Sequence, residues 1–418
     1  MSDKLAIRGG PRAVPEGAIA KWPPVDDLDR KMVISSLEGD NHAFGPNCEA
    51  FQEEFAKWNG NKYALTTNSG TAALHMAVAA CGCGAGSEVI VPAYSWSSTA
   101  TCVLHHNAVP VFVDIDYETM NIDPGKIEEA ITPRTKAIIV VHLHGLPADM
   151  SEIREVAEDY DLKVIEDACQ AHGATYAGRR VGTLGDCAAF SFNQNKCLCS
   201  GEGGMFVTDD EELFERAKQL WSFGETRMPS EERDYHAYAL GWMYRNNDLT
   251  AAFGRAQLRK LDGYLEVQRR NAARLSRRLE DVEGLILPTE PSDGRHNWYN
   301  YTIRFDMESL GHAQDAAAFR DRVVDALVAE GVETGVWQRF ILPAMTVFRA
   351  RNAYGGGCPW RCGEYSPRIY SPELFPQAQR HCESHTGITT PLRSPNGPEV
   401  VDLIAEGIRK VMENIDQV

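Results

Sequence analysis

No apolar run in this chain approaches the ~18 residues that a membrane-spanning helix requires. No basic stretch followed by an apolar one stands at its start, so the chain is expected to stay in the cytoplasm. Basic charge is also scarce: 42 Lys and Arg stand against 59 Asp and Glu, a formal net charge of -17. A protein that grips phosphate backbones needs clustered cations, and an anionic membrane surface repels an acidic chain, so neither nucleic acid nor membrane is an expected partner. Internal repeats and low-complexity tracts are missing as well. Cysteine is not scarce, but the 11 cysteines are odd in number and scattered through apolar stretches such as CAAFSF (Cys187 to Phe192). They are read as reduced thiols that pack as small hydrophobes, not as a disulfide framework.

What remains is a chain of 418 residues, 43% hydrophobic, long enough for a large core and two or three domains. Val- and Ile-rich segments alternate with amphipathic ones. EVIVPAY (Glu88 to Tyr94), VPVFVDID (Val109 to Asp116), KAIIVVHLHG (Lys136 to Gly145) and LKVIEDA (Leu162 to Ala168) read as buried strands. SSTATCVLHHNA (Ser97 to Ala108), PGKIEEAIT (Pro124 to Thr132) and MSEIREVAEDYD (Met150 to Asp161) carry apolar residues at helical spacing behind Ser or Pro start signals. Such alternation predicts an α/β fold with a mostly parallel sheet covered on both faces, its ligands at the carboxyl ends of the strands. Past Tyr244, a long helical stretch from Asp248 to Val282 reads as a connector into a second, smaller domain. The expected division is an N-terminal arm over 1–40, a large domain over 41–275 and a small C-terminal domain over 276–418. The small domain holds NWYNYTIRF (Asn297 to Phe305), a helix around Asp315 to Glu330, and a Gly/Pro/Cys-rich loop from Asn352 to Pro376 whose length suggests function.

One lysine stands out. Lys196 lies between an aromatic strand and a glycine turn in FSFNQNKCLCSGEGG (Phe190 to Gly204), downstream of a carboxylate in VIEDACQAHG (Val164 to Gly173). Pyridoxal phosphate needs an amine for its imine, a carboxylate on its pyridine nitrogen and a phosphate cradle. Asp167, at the end of an apolar strand, is either solvated at the sheet edge or buried against a cation, which a pyridinium would supply. Glu166 alternates to the other face and reads as structural. Ser69, Gly70 and Thr71 open a helix after a strand-like segment, where free N–H groups favour a dianion, although Ser-Gly-Thr is also an ordinary helix start. Trp96 either stacks on a pyridine ring or packs in the core. Gln170 either donates to the ring oxygen or closes a turn, and Ser191 offers a hydroxyl to the phosphate. Lys196 could itself be a surface lysine, a reading that its setting between a buried strand and GEGG disfavours.

These segments resemble the DegT/StrS-type aminotransferases that make amino sugars and aminocyclitols. The resemblance is carried by NSGTAAL (Asn68 to Leu74), EVIVPAYSWSSTA (Glu88 to Ala100), VPVFVDID, PRTKAIIVVHLHG (Pro133 to Gly145), VIEDACQAHGA (Val164 to Ala174) and FSFNQNKCLCSGEGG, and it spans nearly the whole chain. It implies the fold type I architecture of pyridoxal phosphate enzymes, like aspartate aminotransferase, with a smaller C-terminal α+β domain. It further implies that Lys196 binds the cofactor as an imine and serves as general base, that Asp167 pairs with the pyridine nitrogen and that Trp96 stacks on the ring. Gly70, Thr71 and Ser191 would hold the phosphate, with Gln170 near the ring hydroxyl. A homodimer with shared sites is expected. One departure concerns GWMYR (Gly241 to Arg245), where members usually show Gly-x-Asn-x-Arg and this chain has Met243; Arg245, Asn246 or Asn247 are candidate replacements for that contact to the partner's phosphate.

Within the family, the GEGG turn and CPW (Cys358 to Trp360) look more like the inosose aminotransferases of aminoglycoside pathways than the nucleotide-sugar enzymes. The expected acceptor is then the ketone of a polyhydroxylated ring such as scyllo-inosose, and the expected donor is L-glutamine or L-glutamate. His142, His144, Tyr299 and Arg339 are candidates to read hydroxyls, each with a structural alternative. Two rival readings stand beside this one. Amino-hydroxybenzoate synthases look similar and use the same lysine to eliminate water. Cys358, Cys362, His381 and His385 form a C-x3-C … H-x3-H pattern, although the gap between the pairs exceeds the ~12 residues of a zinc finger. His142 and His144, read as one face of a strand, lack a third ligand, so no metal is expected. A cofactor-binding regulator on the same fold is disfavoured by the intact lysine and carboxylate.

Overall fold

The computed structural model describes residues 4–362, 365 and 369–418. Seven segments built mainly of apolar residues form the main sheet: β1 (Tyr63–Thr67), β2 (Glu88–Pro92), β3 (Val109–Val113), β4 (Thr135–Val141), β5 (Lys163–Asp167), β6 (Cys187–Ser191) and β7 (Gly204–Thr208). Their order is β1-β7-β6-β5-β4-β2-β3. All run parallel except β7, which is antiparallel to both its neighbours. β2, β3, β6 and β7 are buried along their whole length, which is why they read as continuous apolar runs. Intervening helices include α1 (Gly70–Ala80), α2 (Ser98–His105) and α3 (Met150–Asp159). The expected α/β architecture is therefore present.

The helix expected from Asp248 forms as α4 (Asp248–Leu279), capped by Asn247, whose side chain accepts from the Thr250 N–H. It belongs to two cores at once. Leu258, Leu261 and Leu265 pack on the main sheet's core, whereas Ala272, Leu275 and Leu279 pack on a second one. The second core surrounds an antiparallel sheet of Leu285–Ile286, Tyr301–Phe305 and His385–Ile388, and it also takes in Leu5 and Val14 from the start of the chain. Ile341, Phe348, Tyr370 and Cys382 pack instead on the first core. Among the described residues no helix is long and apolar enough to cross a membrane.

Cys358 and Cys362 are joined to each other, which corrects the reading of all 11 cysteines as thiols. The turn at Pro359 brings their Cα atoms to 5.4 Å, inside the range a disulfide needs. Both sulfurs are thereby removed from the C-x3-C … H-x3-H pattern. Part of the Asn352–Pro376 loop, residues 363, 364 and 366–368, lies outside the described residues.

Candidate active site

The parallel strands end on one edge of the sheet, and the loops leaving them assemble a cavity of about 1060 Å³. Gly70, Thr71, Trp96, Asp167, Gln170, Ser191 and Lys196 all line it. Register explains much of this convergence. Ser191 pairs with Gly204, and Gly204 pairs with Thr67, so the ends of β6 and β1 are held level by the antiparallel strand between them. Gly204 admits no side chain, because a Cβ there would lie 2.6 Å from the carbonyl of Ser69 and 2.7 Å from the Gly70 nitrogen. Gly70 is equally confined: its Cβ would meet that of Ser191 at 2.7 Å. The last glycine of GEGG is required because two backbones touch, whereas Gly201 and Gly203 serve positive φ, at 88° and 152°.

At the start of α1 the Ser69 hydroxyl caps the helix by accepting from the Ala72 N–H at 3.1 Å. That leaves the first-turn N–H groups of Gly70 and Thr71 beside the cavity, at the positive end of the helix. Across the cavity Asp167 is buried, and its Oδ2 accepts from the Thr99 hydroxyl at 2.7 Å while Oδ1 accepts from the Cys169 N–H at 3.3 Å. Thr99 is itself 2.8 Å from the Ser95 hydroxyl, so Ser95 donates to Thr99 and Thr99 donates to Asp167. The Gln170 side-chain oxygen accepts from the His144 N–H at 2.8 Å, leaving its NH2 as the available donor. Trp96 is 53% exposed, an unusual state for a tryptophan and one that leaves a free ring in the cavity.

Lys196 is half-buried, with its ammonium 4.8 Å from the centre of the Tyr299 ring. Burial works to lower its pKa, but the neighbouring Tyr299 phenol, Cys169 thiol and Asp167 carboxylate outweigh it, so the ammonium is held above its ordinary value. No ion pair joins Lys196 to Asp167. Cation and carboxylate line one cavity at a separation.

Glu166 is structural, as its alternation implies. Its buried carboxylate accepts from His142 Nε2 at 2.9 Å and from the N–H groups of Gly182, Leu184 and Gly185 at 2.6–2.7 Å. Burial opposes its ionisation, yet the His142 bond and these donors hold its pKa below the ordinary carboxylate value. His142 thereby leaves the list of hydroxyl readers, since its Nδ1 also accepts from the Ala148 N–H at 3.1 Å. His142 and His144 do not share a strand face. β4 ends at Val141, and His144 sits at φ 57° in the turn that follows, where burial drives its pKa well down. Arg339 is exposed and paired with Asp321 at 2.7 Å, away from the cavity lining. Of the four candidates only Tyr299 lines the cavity. Among the described residues no group of three or more His, Cys, Asp or Glu is arranged to hold a metal.

Met243 is half-exposed; its carbonyl accepts from Asn68 Nδ2 at 3.3 Å. Of the candidate replacements, Asn247 is committed to its cap and the Asn246 oxygen accepts from the Thr250 hydroxyl at 2.7 Å. The Arg245 guanidinium lies 5.3 Å over Phe223.

Several lining groups escaped sequence reasoning. Trp22 donates its Nε1–H to the Lys196 carbonyl at 3.1 Å, and Arg393 donates to the Asn195 carbonyl at 2.9 Å. Both come from opposite ends of the chain, with no local pattern to mark them. Asn300 and Trp337 also line the cavity from the second half of the chain. Thr99, which reaches the site through Asp167 and not as a lining residue, was within reach of inference, because it lies on the first turn of the helix that follows β2.

Comparison with known proteins agrees with this geometry. The model of the DegT/DnrJ/EryC1/StrS aminotransferase family matches residues 24–380. An L-glutamine:2-deoxy-scyllo-inosose aminotransferase of Streptomyces paromomycinus is 38% identical over 79% of this chain and 80% of its own length. A GDP-perosamine synthase of Caulobacter vibrioides is 40% identical over 75% of this chain and 82% of its own. Among solved structures, 3-amino-5-hydroxybenzoic acid synthase superposes with a TM-score of 0.84 at 30% identity, covering 96% of this chain and 99% of that one. With the family model covering most of the chain and these relatives covering more than two thirds, the protein belongs to the DegT/DnrJ/EryC1/StrS family and is a pyridoxal phosphate-dependent aminotransferase.

Proposed function

We propose that the enzyme moves an amino group from L-glutamine or L-glutamate to the ketone of a polyhydroxylated six-membered ring such as scyllo-inosose. The observation that carries this reading is the lining of the cavity. Beyond the cofactor-facing groups its neutral amides and hydroxyls, among them Asn193, Gln194, Asn195, Asn300, Thr334 and Thr390, outnumber the two cations, Lys21 and Arg393, and the two carboxylates, Glu202 and Glu333. Such groups read sugar-like hydroxyls, whereas a nucleotide diphosphate calls for clustered cations. The name of the Streptomyces relative supports the same acceptor class.

The residues present fit the cofactor. The uncapped N–H groups of Gly70 and Thr71 with the Ser191 hydroxyl suit a phosphate, the Asp167 carboxylate suits a pyridinium, and Lys196 lines the same cavity, which also holds the exposed Trp96. When bound, pyridoxal phosphate supplies an aldehyde that stores the amino group between two half-reactions and a ring that accepts electrons. Lys196 would hold the aldehyde carbon and, once displaced by the donor amine, take and return the proton at the substrate carbon. Ser95 and Thr99 fix the orientation of Asp167, and the His144 backbone fixes that of Gln170. We further propose a homodimer: Tyr235, Tyr238 and Leu240 are 57–79% exposed on the loop that leads to Met243, an apolar surface suited to a second copy.

The test is the visible absorbance of the cofactor in purified protein. L-glutamine should bleach it and scyllo-inosose should restore it, with the aminated cyclitol found by mass. Restoration by a nucleotide-linked ketosugar instead would reject the acceptor, and loss of water without gain of an amine would favour the synthase-like reaction. Lys196→Ala should show neither phase.

A further inference from the structure

Two of the free cysteines touch: the Sγ atoms of Cys81 and Cys187 lie 3.7 Å apart. A disulfide measures about 2.05 Å, so a closure of about 1.7 Å separates this contact from a bond. The two thiols differ in access. Cys187 opens β6, where it is 2% exposed and laddered to Ile165 of β5 and Thr208 of β7. Cys81 is half-buried at the C-cap of α1. The Cys81 contact and burial hold the Cys187 thiol well above its ordinary pKa. Lys163 stands near enough to Cys81 for their charges to interact, and a neighbouring cation favours a thiolate. Cys81 is therefore the thiol that meets a reagent, and Cys187 the one that resolves it. Cys83 turns its sulfur to the Cys81 carbonyl instead, at 4.0 Å.

The elements that this pair would join are the two that form the phosphate cradle at their other ends. α1 begins at Gly70 and Thr71, and β6 ends at Ser191. There they touch without slack, since a Cβ on Gly70 would meet that of Ser191 at 2.7 Å. At the far end they meet through the two sulfurs. β6 is held by a strand on each side, so a bond must move α1, a rod about 16 Å long. Abutting Ser191 at one end and drawn toward Cys187 at the other, the helix carries the shift to the Gly70 and Thr71 N–H groups. We propose that Cys81 and Cys187 form a reversible disulfide that weakens the enzyme's hold on pyridoxal phosphate. This rests on the reading of Gly70, Thr71 and Ser191 as the phosphate cradle. The oxidant is a low-molecular-weight disulfide such as oxidised glutathione. The Cys81 thiolate attacks one of its sulfurs and expels a thiolate, leaving a mixed disulfide; the Cys187 thiolate then attacks the Cys81 sulfur and expels the second. Two protein thiols are oxidised, the small disulfide is reduced to two thiols, and these take up the two protons. By linkage the effect is reciprocal, so bound cofactor disfavours the bond by the factor that the bond takes from cofactor affinity.

The experiment equilibrates the full-length protein, with and without pyridoxal phosphate, in glutathione buffers of graded ratio, blocks free thiols with N-ethylmaleimide and maps the bonds by peptide mass. A peptide pair joined through Cys81 and Cys187 should appear as the buffer becomes oxidising and vanish with dithiothreitol. Absorbance titration should give a dissociation constant for pyridoxal phosphate on the order of tenfold higher in the oxidised protein. Bound cofactor should raise the midpoint potential of the pair by about 30 mV, the same tenfold converted for a two-electron couple. Cys81→Ser, a change at a half-buried helix end, should keep the affinity of the reduced protein in every buffer. A Cys81→Ser protein that still loses affinity on oxidation would place the effect at Cys358 and Cys362 and overturn the proposal. Mapping that finds Cys81 joined to Cys83, or to glutathione alone, overturns it as well. So does a cross-linked protein that binds pyridoxal phosphate within about twofold of the reduced one. These wild-type measurements need no variant. If affinity is unchanged by the cross-link and Ser191→Ala also binds the cofactor as tightly as reduced wild type, the cradle reading falls too; a weakened Ser191→Ala keeps the cradle and rejects the redox coupling alone.

Discussion

Gly70→Ala tests whether the phosphate cradle depends on backbone contact. The added Cβ would stand 2.7 Å from the Ser191 Cβ, 3.0 Å from the Cys169 sulfur and 3.2 Å from the Ser191 Cα. Ser191 cannot retreat, because β6 is laddered to β7 over its whole length. The start of α1 must move instead. Overpacking of this kind costs about 1–3 kcal/mol of stability. Moving the Gly70 and Thr71 N–H groups weakens charge-assisted bonds to phosphate that contribute about 1.5–3 kcal/mol each, so the dissociation constant for pyridoxal phosphate should rise roughly 10- to 100-fold. A second change identifies the cause. Ser191→Gly removes the 2.7 Å contact, whereas Ser191→Ala keeps it, and both delete the same hydroxyl. Denaturant melting of the cofactor-free protein should show Gly70→Ala partly rescued by Ser191→Gly, with a coupling of about 1–2 kcal/mol, and not by Ser191→Ala. Cofactor affinity, measured by absorbance titration, should stay weak in both doubles. Equal rescue by the two changes, or a Gly70→Ala protein that melts and binds like wild type, would refute the steric argument.

Thr99→Val keeps the shape of the side chain but removes the donor to Asp167 and leaves the Ser95 hydroxyl without its acceptor. Loss of a bond to a charged group predicts about 1.5–3 kcal/mol, seen as weaker cofactor binding in an absorbance titration, with Thr99→Ser near wild type. Glu166 should govern acid stability. Its folded pKa is depressed, so its contribution is complete above the unfolded carboxylate value of about 4.3 and is lost as pH falls through the folded value. Melting of Glu166→Gln against pH should show a less stable protein whose acid limb is flatter, and an unchanged limb would disprove this. Lys196 should set the pH dependence of cofactor uptake by cofactor-free enzyme, because only the free amine attacks an aldehyde and its pKa is raised. The association rate should climb with pH well past neutrality. Tyr299→Phe removes the phenol that does most to raise the lysine's pKa, so it should shift that rise to lower pH.

Much of this site was legible because its parts lie where strands end. An apolar run that stops at Asp167, another at Ser191 and a Ser-Gly-Thr start at residues 69–71 each mark a strand's carboxyl end, and a parallel sheet brings such ends together. The histidines were misplaced for a related reason. A period-of-two reading carried β4 through His144, but the strand stops at Val141 and a left-handed residue at 144 turns His142 toward Glu166 and His144 toward Asn300. The Cys358–Cys362 bond was missed because scatter describes the set of cysteines, while pairing depends on one turn. No local signal exists for Trp22, Asn300 or Arg393, whose only common property is the place to which the chain returns them.

That return has a mechanical consequence. A lysine that must release a cofactor and take it back needs a mobile side chain on a fixed backbone. The Lys196 turn follows β6 and carries exposed residues at Gln194 and Asn195, so the sheet alone does not hold it. Its carbonyls are held from outside, Lys196 by the Trp22 indole and Asn195 by the Arg393 guanidinium, while Gln194 donates to the Trp22 carbonyl at 3.1 Å. The stem of Lys196 meets no such bond, and its ammonium rests against a ring face, which resists sliding far less than a carboxylate would. The two ends of the chain thus fix the turn and leave the amine free, a division of labour that a single local motif could not provide.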